Sequence, residues 1–315
     1  MLDDGTGRER RRAVAAMKPA RFAYTAPDTT EGTLDALDRF GDEAKVLSGG
    51  QSLVPMMNFR LARPEVIVDI GRVGGLDGMS AANGTLTLGA RVIHARLEAP
   101  AVTTPDGRSE PLGGVLGSLL PAVARFVGHL PIRVRGTFGG SIAHADPAAE
   151  WCILARTLDA EMVALRRGGE RAIAAADFFE TVFTTALAPE ELLAAVRLPI
   201  LGDDWRTGFC EFSRRAGDFA VVAAMTAVRL VPATGAIAEA RIGVGGVAGV
   251  PVRLGGAEAT LLGEVPSADL HAAAAAVAAG EVDPVGDLHG SAAYRRDLVR
   301  AMVARALAQG AGSLR

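Results

Sequence analysis

Apolar residues recur at helical spacing from Thr33 to Phe40, then close into a short run, Ala44 to Leu47, that ends at Gly49-Gly50. A helix and a buried strand are expected there, followed by a second apolar strand, Val66 to Ile70. These elements make a small α/β unit over residues 17-72. A β-rich unit, 73-200, opens with Asn83-Gly84 between Met79 to Ala82 and Thr85 to Leu88. That dipeptide favours a tight type I′ hairpin turn. Helical spacing returns from Leu119 to Val127 after Ser118, and Arg133 to Ser141 alternates, so a strand is expected to lead into the second glycine pair, Gly139-Gly140. The last unit, 206-312, carries strand-like runs at Val221 to Leu230 and Ala238 to Val244, then two helices. Ser267 and Ser291 read as N-caps of those helices, and Gly280 and Gly310 as their C-terminal stops. The pattern is that of an α+β chain of three units packed as one body. Residues 1-16, with Arg8 to Arg12 and a short alanine run, read as a disordered extension.

Composition narrows the function classes. The chain has 315 residues, 49% of them hydrophobic and 22% charged, enough apolar surface for a substantial core. Its net charge of -3, with lysine only at positions 18 and 45, offers no basic field for a phosphate polymer, so nucleic acid is not an expected partner. Cys152 and Cys210 cannot supply the four thiolates of an iron-sulfur cluster and form no metal-ligand spacing. Any metal centre is therefore expected on another chain. No run approaches the roughly 20 apolar residues of a membrane span. Without a signal-peptide or disulfide pattern, the cytoplasm is the expected compartment, with any membrane reached only peripherally through a complex.

Two stretches carry candidate chemistry. In Val46-Leu47-Ser48-Gly49-Gly50-Gln51-Ser52-Leu53, a strand runs into two glycines and then polar side chains. Such a turn lets successive amides converge into a nest that suits an anion, and Ser48, Gln51 and Ser52 add side-chain donors. Taken alone, it is also what an ordinary turn looks like. Gly136-Thr137-Phe138-Gly139-Gly140-Ser141 repeats the chemistry, and Asp146 and Glu150 follow it. There Thr137 and Ser141 can bond phosphate oxygens, while a carboxylate can accept from a sugar hydroxyl. The competing reading is a polar turn, with Asp146-Pro147 starting the next helix and His144 a structural histidine.

These residues resemble the FAD-binding medium subunit of the molybdenum hydroxylases, the family of carbon monoxide dehydrogenase and xanthine dehydrogenase. Ser48 to Met57 followed by Arg60-Leu61-Ala62-Arg63-Pro64 is similar to its first FAD loop. Ile132 to Ser141 with His144-Ala145-Asp146-Pro147 is similar to the second, and Arg214-Arg215-Ala216-Gly217-Asp218-Phe219-Ala220 to a third motif. The resemblance implies a PCMH-like, vanillyl-alcohol-oxidase-type FAD domain in two parts, followed by an α+β C-terminal domain of antiparallel sheet and helices. FAD would lie between the first two parts. Leu47, Ser48, Gly49, Gly50, Gln51, Ser52 and Leu53, with Thr137, Gly139, Gly140 and Ser141, would hold its pyrophosphate and ribityl chain. Asp146 belongs to the same set, Glu150 would hold the adenosine ribose, and Phe219 would lie near the isoalloxazine ring. A buried strand aromatic is the other reading of Phe219. The chain departs from relatives at Ser141, often Asn or Asp, and at Phe219, where a tyrosine would carry a hydroxyl. Both changes bear on how the flavin is tuned, and neither removes the binding loops.

By the same resemblance, the partners are a large subunit with a molybdopterin-type molybdenum cofactor and a small subunit with 2Fe-2S clusters, as a dimer of heterotrimers. The chain would relay electrons from those clusters through FAD to an acceptor, with no acid, base or nucleophile of its own. A free-standing FAD-dependent reductase or dehydrogenase is the nearest alternative. It would need a cluster of Arg, Ser and Glu over the flavin that the sequence does not display. A third reading is an assembly protein that has lost the cofactor, against which both intact Gly-Gly stretches argue. Gly243-Val244-Gly245-Gly246-Val247-Ala248 has the letters of a dinucleotide fingerprint, but Gly249 and Pro251 stand where its helix should start, so a turn is expected. No P-loop is present, since neither lysine follows a glycine.

Overall fold

The computed structural model describes residues 18–104 and 106–312, and the expected extension at 1-16 lies outside them. The N-terminal unit comprises β1 (Ala23–Thr25), α1 (Thr30–Phe40), β2 (Ala44–Leu47), α2 (Leu53–Asn58) and β3 (Val66–Asp69). Its strands form a parallel sheet in the order β1-β3-β2, with Leu47 opposite Asp69 at the C-terminal edge. Helix α1 starts before the expected Thr33 because the Thr29 hydroxyl accepts from the Gly32 amide and caps it. That capped turn carries no apolar signal. Leu34 and Leu37 bury their side chains in one cluster with Val66 and Val68.

Next come β4 (Met79–Ala82), β5 (Thr85–Gly89), β6 (Ala101–Thr103), β7 (Ser109–Pro111), α3 (Gly114–Ala124), α4 (Leu130–Arg133), α5 (Phe138–His144) and α6 (Glu150–Thr157). They are followed by β8 (Glu161–Arg166), β9 (Gly169–Ala174), α7 (Ala175–Phe178), β10 (Phe179–Thr181), β11 (Thr184–Thr185) and β12 (Leu192–Pro199). Seven of the strands form one sheet, β7-β6-β4-β5-β12-β8-β9, antiparallel except where β4 meets β6. Asn83 and Gly84 have φ of 50° and 75°, as the type I′ turn of the β4-β5 hairpin requires. Two expectations fail here. Ser118 lies inside α3, which starts at Gly114. The alternating stretch Arg133 to Ser141 is not a strand but the end of one helix and the start of another. Only Thr137 makes a β-bridge, to Ile93, and its hydroxyl then caps α5.

The C-terminal unit comprises β13 (Trp205–Phe212), β14 (Val222–Leu230), β15 (Ile237–Gly245), β16 (Val252–Arg253), α8 (Gly255–Leu261), α9 (Ala268–Glu281) and α10 (Ala292–Gly312). Three helices follow the sheet rather than two, and α10 runs past Gly310 instead of stopping there. Ser267 caps α9 as expected, and the Ser291 hydroxyl accepts from the Tyr294 amide at the start of α10. One face of this sheet, with Phe209, Ala223, Met225 and Ala227, joins the large core under α3 and α6. The other shares a second core with α8, α9 and α10. Burial on both faces explains why β14 is apolar almost throughout. The dinucleotide-like letters at Gly243 end β15 and turn without opening a helix, which bears out the expected turn.

Candidate cofactor site

Strand β2 delivers the first Gly-Gly turn to the C-terminal edge of the parallel sheet, where open α/β sheets present their ligand crevice. Gly50 takes φ of +73°, which a residue with a side chain rarely adopts. Gln51 folds back, its Nε2 donating to Gly49 O at 3.0 Å. Among the described residues, no carbonyl or side chain accepts from the consecutive amides of Gly49 to Leu53, and these positions are all half-buried. Partly buried amides without acceptors are unusual, and a run of them forms a concave patch of positive potential. The loop thus has the donor set of an anion nest with no lysine in it.

The second motif is built differently from the first. Its glycines lie in the first turn of α5, and its amides are already engaged: Phe138 N donates to Val92 O, Gly139 N to Ala90 O and Gly140 N to Thr137 Oγ1. A Cβ on Gly139 would lie 2.5 Å from Ala90 Cα, so this glycine permits close packing on the segment after β5. What the motif brings to the first loop is contact. Ser48 Oγ lies 2.9 Å from Thr137 Oγ1, and a Cβ on Gly49 would lie 2.3 Å from Arg135 O. Loops separated by 89 positions in the chain thereby form one surface. Ser141 follows one turn on, half-buried, with its carbonyl accepting from the Cys152 thiol.

The third motif reaches the same region through His129. Gly217, at φ of +83°, leaves no space for a Cβ, which would stand 2.5 Å from the His129 ring. His129 immediately precedes α4, so the loop from Ser213 to Val221 packs beside the residues that lead into Thr137. Phe219 is 60% exposed on that loop, which overturns its reading as a buried strand aromatic. His129 was invisible in the sequence, where a lone histidine before Leu-Pro carries no pattern.

Beyond the loops lies a group of acids. Asp146 Oδ1 accepts from the Ala148 amide and shapes the turn before α6, whose N-cap is Ala149, three residues later than the expected start. Glu150 opens α6 and is 6% exposed. Burial, with Asp146's charge adding to it, pushes Glu150 up to about 7 against the hydrogen bond from its own amide. Burial also pushes Glu211 on β13 up, to about 8, with Glu150's charge adding. His144 stacks on Phe183, ring centroids 4.8 Å apart, as a structural histidine would. Beneath the site, Trp151 is fully buried, donates from Nε1 to His94 Nδ1 at 3.0 Å, and packs edge-on against Phe138. Burial, with Arg133 adding, lowers His94 to about 4, so the ring stays neutral with Nδ1 as acceptor.

The acids fix a pH dependence for the free protein. A carboxyl whose folded value is raised stabilises the fold below its ordinary value and loses that contribution as the pH climbs through the raised one. Glu150→Gln is therefore expected to gain stability over the wild type between about pH 4.5 and about 7, by up to about 3 kcal/mol, and to hold that gain above. Paired urea titrations across the range would check it; a difference that does not change with pH would contradict it.

Among the described residues, no helix is long and apolar enough to cross a membrane, and no group of three or more His, Cys, Asp or Glu is placed to hold a metal ion. Comparison with known proteins places the chain in a family. The family described as the FAD binding domain in molybdopterin dehydrogenase matches residues 20–201, and the CO dehydrogenase flavoprotein C-terminal domain matches 207–309. The chain is 40% identical to the 6-hydroxypseudooxynicotine dehydrogenase complex subunit alpha of Paenarthrobacter nicotinovorans, over 93% of this chain and 95% of that one. It is 35% identical to the nicotine 6-hydroxylase medium subunit of the same organism, over 93% and 98%. Its structure resembles that of carbon monoxide dehydrogenase from Hydrogenophaga pseudoflava with a TM-score of 0.85 at 31% identity, covering 94% of this chain and 99% of that chain. With family matches across both of its halves, the chain belongs to the molybdopterin dehydrogenases, as their FAD-binding medium subunit.

Proposed function

We propose that the three motifs hold FAD and that the chain relays electrons from an iron-sulfur partner, through that FAD, to an external acceptor. The observation that carries this reading is the junction of the first two motifs, where the unengaged amides of Gly49 to Leu53 stand beside the Ser48-Thr137 hydroxyl pair. That donor set fits a pyrophosphate: the amides face the anion, the hydroxyls add two donors, and no buried cation has to be desolvated. Leu47 and Leu53 bound the nest, while Gln51, Ser52, Gly140 and Ser141 line its approach. The acids at Asp146 and Glu150 suit sugar hydroxyls rather than phosphate. The exposed ring of Phe219, on the loop seated against His129, suits the flat face of the isoalloxazine.

FAD, when bound, supplies the capacity to accept electrons one at a time and pass them on in pairs. The residues around it bind and orient it and set the polarity at its edges. Substrate oxidation then belongs to a large partner with a molybdopterin-type cofactor, and delivery of electrons to a small partner with 2Fe-2S clusters. A dimer of such heterotrimers is the proposed assembly.

The experiment is anaerobic mixing of the FAD-loaded chain with a chemically reduced small iron-sulfur partner. Bleaching of the flavin absorption is the expected result, together with no oxidation of organic substrates by the isolated chain. A flavin that stays oxidised beside the reduced partner, or steady turnover by the isolated chain, would overturn the relay.

A further inference from the structure

The register of the C-terminal sheet puts an acid where the fold gives it no donor. Glu211 on β13 pairs with Ala223 on β14, and Ala223 with Gly245 on β15. Cross-strand neighbours share a face, so the three form one row. A Cβ on Gly245 would lie 2.4 Å from Pro147 O and 2.4 Å from Ile153 Cδ1, so the row runs beneath the segment that carries Glu150. Trp205 and Phe209, on the same side of β13, are buried in the large core, and Glu211 continues their row. Its Oε2 is buried and, among the described residues, nothing donates to it. The charges that act on the two glutamates are themselves acidic: Glu150 on Glu211, and Asp146 on Glu150. Cys152, nearby on α6, is a thiol that burial and the same two acids, Asp146 and Glu150, keep protonated. A half-buried carboxyl with one oxygen shut off from solvent and from any donor costs stability, and this fold sets it close to a second acid.

We propose that Glu211 is a further cofactor-facing residue, whose free Oε2 accepts a hydrogen bond from a hydroxyl of the bound FAD, with Glu150 as the neighbouring acceptor. This rests on the FAD reading of the site. Polyol hydroxyls are the donors FAD offers, and its phosphates have their own nest at Gly49 to Leu53. Glu211 also stands two residues before the loop that carries Gly217 and Phe219, at the edge of the region where the three motifs meet.

The test uses the full chain with Glu211→Gln, Glu211→Leu and Glu211→Ala. Without FAD, Glu211→Leu and Glu211→Gln are expected to melt at or above the wild-type temperature, because the uncompensated acid is gone. In titrations of FAD followed by flavin fluorescence, Glu211→Leu and Glu211→Ala are expected to bind at least about tenfold more weakly. Glu211→Gln keeps an oxygen that can accept from a hydroxyl and is expected to stay within about threefold of the wild type. Wild-type affinity in Glu211→Leu and Glu211→Ala would overturn the proposal. So would a lower melting temperature of both Glu211→Leu and Glu211→Gln without FAD, which would make Glu211 a packing residue. A wild-type chain that takes up no FAD would defeat the reading of the whole site, a result distinguishable from either.

Discussion

Gly49→Val is expected to leave the chain folded and unable to hold FAD. A Cβ at this position would lie 2.3 Å from Arg135 O and 2.7 Å from Gly136 Cα, and both neighbours are backbone. Backbone cannot rotate aside as the end of a flexible side chain can, so the first loop must lift off the second motif. That breaks the 2.9 Å contact between Ser48 and Thr137 and spreads the amides that form the nest. The N-terminal core keeps its own packing, since Leu34, Leu37, Val66 and Val68 lie on the sheet rather than in the loop. FAD affinity is expected to fall more than about a hundredfold, about 2.7 kcal/mol, while thermal unfolding without FAD shifts by only a few degrees. Fluorescence titration and calorimetry separate the two quantities. Unchanged FAD affinity would show that the contact between the motifs does not shape the site.

The second large effect is on stability. Trp151→Ala is expected to destabilise the chain by about 3–5 kcal/mol, the range for removing a large aromatic from a packed core. Trp151 is fully buried, meets Phe138 with ring centroids 5.2 Å apart, and donates to His94 Nδ1. Phe138 opens the very helix that carries Gly139 and Gly140, so the damage spreads to the second motif. Trp151→Phe keeps most of the packing but orphans the His94 acceptor, and is expected to cost about 1–3 kcal/mol. Urea unfolding of the two variants against the wild type measures both. A loss below about 1 kcal/mol for Trp151→Ala would mean that this core collapses around the gap.

Much of the fold was legible because its signals are local. Ala44 to Leu47 is short and apolar but for Lys45 before two glycines, and Asn83-Gly84 dictates a tight hairpin, so the boundaries of β2 and β4 could be read off directly. The run from Arg133 to Ser141 misled because two short helices joined by a bridging residue imitate alternation. Pro131 in the first turn of α4 and Thr137 as the cap of α5 were the contrary signals. The first Gly-Gly turn could be read as a nest from its letters. That the second glycine pair serves packing could not be, since Gly139 packs on Ala90, and the acceptors of the Phe138 and Gly139 amides, Val92 and Ala90, lie more than 40 residues away. Glu211 and His129 escaped for the same reason. Each is a single polar residue whose meaning comes from a neighbour across the sheet or across a loop, although the row Trp205, Phe209, Glu211 did mark an acid at an inward-facing position of β13.

The most direct measurement is a crystal structure of the chain grown with FAD. One FAD per chain is expected, its pyrophosphate within hydrogen-bond distance of the amides between Gly49 and Leu53 and of the Ser48 or Thr137 hydroxyl, its ring on the loop that bears Phe219. A cofactor bound elsewhere, or a pyrophosphate that leaves those amides unengaged, would contradict it.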